Sequence, residues 1–271
     1  MKTRILAAVV LLPLLLLVVL VLPKVFTGIL FGLMAAIGAY ELLSGTGLVK
    51  HTRLIAYAAL MAFLIGLYAS VGVRAGVMQL TVLAFFCLVA GELLLSHTKL
   101  PFSSVAITLV AGYLIPYLLC AVVRLHSWGN GRYYILLPFV IAFLSDTGAY
   151  FTGMALGKHK LAPIISPKKT VEGLVGGVVG AIVGVFLYGL ILQLAFDFRV
   201  SYWYAPIYGI LGSLGAVFGD LCFSAIKRQT GIKDYGNLIP GHGGILDRFD
   251  STVVVAPLTE ALMLLIPLVV K

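Results

Sequence analysis

Ten carboxylates are spread over 271 residues, and Glu41, Glu92, Asp146, Asp220 and Glu260 fall inside or at the ends of long apolar runs. An acid at the middle of a membrane helix costs roughly 2.5–3.5 kcal/mol on insertion scales, which makes each of these a functional candidate by default. Glu41 and Glu92 lie near the ends of their runs, where an interfacial or packing role is the expectation, and Glu260 is deeper with no evident partner. Asp146 and Asp220 differ, because each leads directly into a basic loop. On a helix Asp220, Ser224 and Lys227 share one face at i, i+4, i+7 spacing, with Arg228 adjacent. Asp146, Tyr150 and Gly153 share a face in the same way. Taken alone, such acids are equally the neutralised partners of cations in a helix bundle or the lining of an ion path.

The loop at 227–250, KRQTGIKDYGNLIPGHGGILDRFD, adds to this. Two glycines follow His242, and Asp247 and Asp250 lie three apart, so they would share a face on a helical turn. Carboxylates with open positions are hard oxygen ligands suited to Mg²⁺, which keeps waters and binds substrate phosphates as well. Lysines and arginines around them answer the charge of a polyphosphate, and a glycine-rich backbone supplies N–H donors. Acids for metal and cations for phosphate are the equipment of phosphoryl or nucleotidyl transfer. His242 by itself would be weak evidence, and the spacing does not name a substrate.

The elements that must hold these groups are membrane helices. The chain is 61% hydrophobic and only 11% charged, against about 25% charged in a soluble domain, and its mean hydropathy is +1.11. Runs of roughly 20 apolar residues recur, and backbone in lipid must satisfy its own hydrogen bonds, which favours helices. The fold class expected is therefore all-α, a polytopic helical bundle of about nine spans, near 5–22, 25–43, 54–70, 77–95, 105–123, 133–152, 171–196, 203–226 and 252–270. The first has the basic start and apolar core of a signal peptide, without a small-x-small cleavage site. With the N-terminus inside, 13 of the 19 Lys and Arg fall on the inner side and 6 on the outer, so the positive-inside rule predicts N-in, C-out. The net charge of +9 is then mostly a property of the inner face, and no nucleic-acid partner is expected. Division at 132/133 gives an N-terminal part of about five packing spans and a C-terminal part carrying two inner loops, 153–173 and 227–250. Cys87, Cys120 and Cys222 sit in apolar runs with no metal spacing and read as small hydrophobic residues.

Ser224–Ser251, SAIKRQTGIKDYGNLIPGHGGILDRFDS, resembles the signature of the phosphatidate cytidylyltransferases, also called CDP-diacylglycerol synthases. The Lys-Arg pair, the Lys-Asp, the His-Gly-Gly and the final Asp-Arg and Asp are all present with fitting spacing. Ser145–Gly173 resembles the family's second shared region. The resemblance implies CMP transfer from CTP to phosphatidic acid, with Mg²⁺ required and pyrophosphate released. It implies a catalytic set of Asp220, Asp247, Lys227 and Asp250, with Asp220 and Asp247 on the metal and Asp146 a further metal candidate. Lys168, Lys169, Ser224, Arg228, Lys233 and Arg248 would contact substrate, and His242, Gly243 and Gly244 would shape the nucleotide loop. The expected partners are CTP and a bilayer lipid, with a homodimer allowed, in a prokaryotic plasma membrane with the site facing the cytoplasm. The alternatives are a CTP-dependent enzyme on another lipid, such as an isoprenoid ether-lipid phosphate or a polyprenol, and an ion-coupled transporter using Asp146, Asp220 and Glu260. A transporter would favour polar groups at mid-membrane, whereas the charges here cluster at one face. A CDP-alcohol phosphotransferase is disfavoured because its DGxxAR…GxxxDxxxD arrangement is missing, and a lipid-binding scaffold would have no use for the Asp/Lys/His set.

Overall fold

The computed structural model describes residues 13–96, 98–239, 241 and 243–270. Seven of its helices are long and apolar enough to cross a membrane: α1 Lys24–Gly45, α2 Thr52–Val71, α3 Ala75–Leu95, α4 Phe102–His126, α5 Gly131–Leu156, α6 Val171–Phe196 and α7 Tyr202–Gln229. They coincide with seven of the nine expected spans. Of the span at 5–22, residues 1–12 lie outside the described residues and 13–20 are helical. The last expected span is a shorter helix, Thr252–Leu265, of 14 residues. At 1.5 Å per residue it extends about 21 Å, less than the roughly 30 Å hydrocarbon core.

The chain divides into two compact units. The first holds the described residues up to Gly129 together with Lys227–Phe249, so the loop expected at 227–250 packs with the N-terminal helices. Here α1 and α2 pack backbone to backbone: a Cβ on Gly66 would come within 2.5 Å of the Gly32 Cα. Small residues permit that approach in a membrane, where packing rather than hydrophobic exclusion drives association. The last turn of α1, Glu41–Gly45, is a π-helical turn, a departure from α geometry that often marks functional positions. A one-turn helix, α8 (Leu246–Phe249), also lies in this unit, with Phe249 edge-on to Phe31 at 6.2 Å between ring centroids.

The second unit comprises Asn130–Ile226 and the described residues from Asp250 onward. The pair α5 and α6 forms its spine. A Cβ on Gly148 would run into the Gly176 carbonyl, one on Gly180 into the Leu144 carbonyl, and one on Gly177 would lie 3.0 Å from the Ser145 carbonyl. The loop between them is ordered as an antiparallel hairpin, β1 (Lys160–Ala162) with β2 (Ser166–Thr170), in which Lys160 pairs with Thr170 and Ala162 with Ser166. Thr170 ends the hairpin and caps α6, its Oγ1 accepting from the Gly173 N–H at 3.1 Å. Beyond α6, β3 (Arg199–Val200) pairs with β4 (Val269–Val270). Between β3 and β4 the chain forms α7, α8 and α9, the last being Thr252–Leu265. Gly215 and Gly219 of α7 let the start of α9 approach closely, and buried Ser145 and Ser213 share a hydrogen bond of 2.7 Å.

Candidate functional site

In the second unit Asp220 meets Lys169 of the hairpin, whereas Lys227, expected on the same helix face as Asp220, pairs with Asp247 in the first unit. Lys169, at the end of β2, reaches Asp220 of α7, with Nζ 2.5 Å from Oδ2. The other oxygen, Oδ1, accepts from the Ser224 hydroxyl at 3.0 Å, which is the i, i+4 relation expected on that helix face. Asp146 of α5 is near enough to interact electrostatically with both Lys169 and Asp220. A lysine of the hairpin thus reaches Asp220 on α7, with Asp146 of α5 close by. Beside them is a cavity of about 320 Å³ lined by Asp146, Lys168 and Lys169, with Tyr150, Met154, Leu161 and other apolar groups completing its wall. Asp250 begins the second segment of this unit, its carbonyl packed at Gly219 and its Oδ1 accepting from the Ser251 N–H at 2.7 Å.

The loop 233–249 builds the other cluster, within the first unit. Asp247 is 6% exposed. Its Oδ1 accepts from Lys227 Nζ at 2.8 Å, and its Oδ2 accepts from the Tyr235 N–H at 2.8 Å and the Gly244 N–H at 3.1 Å. These occupy three of about four acceptor positions on a carboxylate. The sequence points Asp247 at metal; in the structure its carboxylate also clasps the loop, and a cation there would share Oδ1 with Lys227, just as one at Asp220 would share Oδ2 with Lys169. The Lys227 ammonium also lies 5.4 Å from the centre of the Tyr235 ring. Gly243, with φ +85°, occupies the left-handed region, and a Cβ there would also press on Asp247 Oδ2 at 2.9 Å. Ile239 donates its N–H to the Gly243 carbonyl at 3.0 Å, closing the tip of the loop. Lys233, Asp234, Asn237, Ile239, Gly241, Gly243 and Arg248 then surround a polar cleft of about 400 Å³. Arg228 is exposed on the last turn of α7, and His242 lies outside the described residues.

Glu41 carries more than the packing role expected of it. It is 4% exposed, and its two oxygens accept from the N–H groups of Ile245 at 3.0 Å and Leu246 at 2.8 Å. A negative group there satisfies orphan donors at the start of α8. The glycines at 236 and 244 are required for it, since a Cβ on either would collide with the Glu41 carboxylate. Glu41 is therefore a positioning residue for the glycine-rich loop. The only local sign of it was an acid placed in an apolar run.

Among the described residues no three His, Cys, Asp or Glu side chains converge as a metal cage. Mg²⁺ does not need one, since one or two carboxylates plus waters and substrate phosphates suffice. Asp220 and Asp146, both hard oxygen donors with a lysine ammonium already seated on one of them, fit such a cation.

Residues 2–266 match the model of the cytidylyltransferase family. Similar proteins include one from Staphylococcus saprophyticus, 45% identical over 135 residues, one from Staphylococcus haemolyticus, 42% identical over 135 residues, and one from Staphylococcus aureus, 45% identical over 139 residues. Each of the three is named phosphatidate cytidylyltransferase, and each match covers 50% of this chain and 50% of the relative.

Proposed function

This chain belongs to the cytidylyltransferase family, and on that premise we propose that it transfers CMP from CTP to phosphatidic acid, giving CDP-diacylglycerol and pyrophosphate. The observation that carries the proposal is the pairing of Lys169 of the hairpin with Asp220 of α7, beside Asp146 of α5, at a cavity with cationic and apolar walls. A lipid phosphate needs both kinds of wall, lysine for the headgroup and apolar side chains for the start of the acyl chains. The polar cleft of the first unit, with Lys233, Arg248 and the glycine-rich backbone, suits a triphosphate.

The chemistry asks little of a general base. A phosphate monoester is already anionic near neutral pH, and one of its oxygens forms the new bond to the α-phosphorus of CTP. The bond from that phosphorus to the oxygen bridging to the β-phosphate breaks, and the electron pair leaves with pyrophosphate. What the protein supplies is alignment and compensation of charge. In the second unit Lys168 and Lys169 line a cavity suited to a lipid phosphate; in the first, Lys233 and Arg248 line a cleft suited to a triphosphate, and Glu41, Lys227 and Asp247 keep the loop in shape. Asp220 and Asp146 would hold Mg²⁺, whose charge would offset that of the phosphates when bound. Support for a cytoplasmic site in the cell membrane, with N-in and C-out, comes from the excess of Lys and Arg on one side.

The test uses purified protein with labelled CTP and a panel of lipid phosphates, with and without Mg²⁺. Label entering the lipid fraction with phosphatidic acid, and only when Mg²⁺ is present, is expected. Turnover with polyprenol phosphate or an isoprenoid ether-lipid phosphate in its place would assign the other substrate class.

A further inference from the structure

The hairpin between α5 and α6 has a composition that catalysis does not explain. Its turn reads Ala162-Pro163-Ile164-Ile165, and Ile164 is 88% exposed. Lys158, Lys160 and Lys168 flank that apolar tip, and all three are exposed. The root of the hairpin is fixed. Glu172 accepts from the N–H groups of Lys158 at 3.1 Å and His159 at 3.2 Å, and its Oε1 lies 2.6 Å from His159 Nδ1. Thr170 is packed against Gly153 and Gly157 at the last turn of α5. A tip that exposes isoleucine on so well-held a base is a surface made to meet something.

Its level in the bilayer follows from α6. That helix has 26 residues and so extends about 39 Å, close to the roughly 40–45 Å of a bilayer with its headgroups. Just beyond its far end stands Trp203, 92% exposed, the residue type enriched at membrane–water boundaries. With that end at one boundary, the hairpin at the other end of α6 lies in the opposite headgroup layer.

We infer that the hairpin 160–170 is an interfacial foot: its Pro-Ile-Ile tip enters the headgroup–acyl boundary, and Lys158 and Lys160 draw anionic lipid around it. Apolar groups beside cations are the combination that binds an anionic bilayer surface. The lipids so gathered collect at the mouth of the cavity, which Leu161, Lys168 and Lys169 of the same hairpin line.

The experiment needs neither CTP nor turnover, so it stands or falls apart from the proposed reaction. Ile164→Trp protein is reconstituted into phosphatidylcholine vesicles containing phosphatidylglycerol and brominated close to the glycerol, and its emission is read as the difference from the parent protein. The added indole is expected to be quenched by the brominated lipid and spared by aqueous acrylamide. Quenching by acrylamide alone would put the tip in water, and protection from both quenchers would mean that protein covers it; either result overturns the inference. In a second arm, Lys158→Gln with Lys160→Gln is expected to reduce energy transfer to a fluorescent phosphatidylglycerol. The enrichment of that lipid should fall by up to about fivefold per lysine at low salt. Unchanged enrichment would remove the lysines from the inference.

Discussion

Replacing Asp220 by Asn keeps the side-chain volume and an acceptor for the Ser224 hydroxyl, but removes the charge that meets Lys169 at 2.5 Å. Asp220→Asn should lower CTP-dependent pyrophosphate release by about ten- to a hundredfold while the protein still inserts and folds; full activity in a pyrophosphate-release assay would dismiss its role. Glu41→Gln tests a different dependence. An amide has one acceptor oxygen where the carboxylate offers two, so either Ile245 or Leu246 loses its partner. Hydrogen bonds to a charged group contribute about 1.5–3 kcal/mol, and hydrogen exchange at 243–249 should speed up accordingly. Unchanged exchange there would show that the loop holds its shape without Glu41. The acids at 146 and 220 were legible in sequence because each stands at the edge of a basic loop. The partners of Glu41 were not, since they lie 204 and 205 positions away along the chain, and no local pattern encodes such a pairing. Asp247 shows the converse: its place in the signature was plain, but its hydrogen bonds to Tyr235 and Gly244 depend on how the loop closes.

Long apolar runs identify helices because lipid leaves the backbone no other partner, and for that reason α1 to α7 could be read from composition. The end of the chain was harder, since hydropathy does not distinguish a full span from a 14-residue helix followed by an extended segment. The hairpin at 160–170 lies within the loop expected at 153–173, and its two prolines and short strands leave little β signal in the sequence. Glycines at 148, 176, 177 and 180 define the α5–α6 contact, and that pair carries Asp146 on one helix and follows Lys169 on the other. Gly148→Val would force a branched side chain against the Gly176 carbonyl. Overpacking of this kind costs about 1–3 kcal/mol, so a lower thermal midpoint in detergent is expected, together with weakened activity. An unchanged midpoint would mean that the two helices separate without penalty.

Charge is distributed unevenly along the whole chain, and the proposed N-in orientation, which rests on the positive-inside rule, would put the hairpin and Trp203 on opposite sides of the membrane. With the three native cysteines replaced, Trp203→Cys should react with an impermeant maleimide in intact cells, and Lys158→Cys only after permeabilisation. The reverse pattern would invert the orientation and put the lysine-lined cavity outside. That Lys227–Phe249 belongs with the first unit was not visible in the sequence, because the segment joins helices that precede it by more than a hundred residues. The signature segment supplies both clusters, with Ser224 beside Asp220 in one unit and Lys227 beside Asp247 in the other. Such a segment makes family membership easy to read while its packing stays hidden.

The most direct measurement of the proposed reaction follows phosphorus from two differently labelled CTP samples incubated with phosphatidic acid and Mg²⁺. Cytidylyl transfer predicts that label at the α-phosphorus enters the lipid fraction, while label at the γ-phosphorus leaves as pyrophosphate. If γ-label entered the lipid, or if neither label did, the chain would not be transferring CMP to a lipid phosphate.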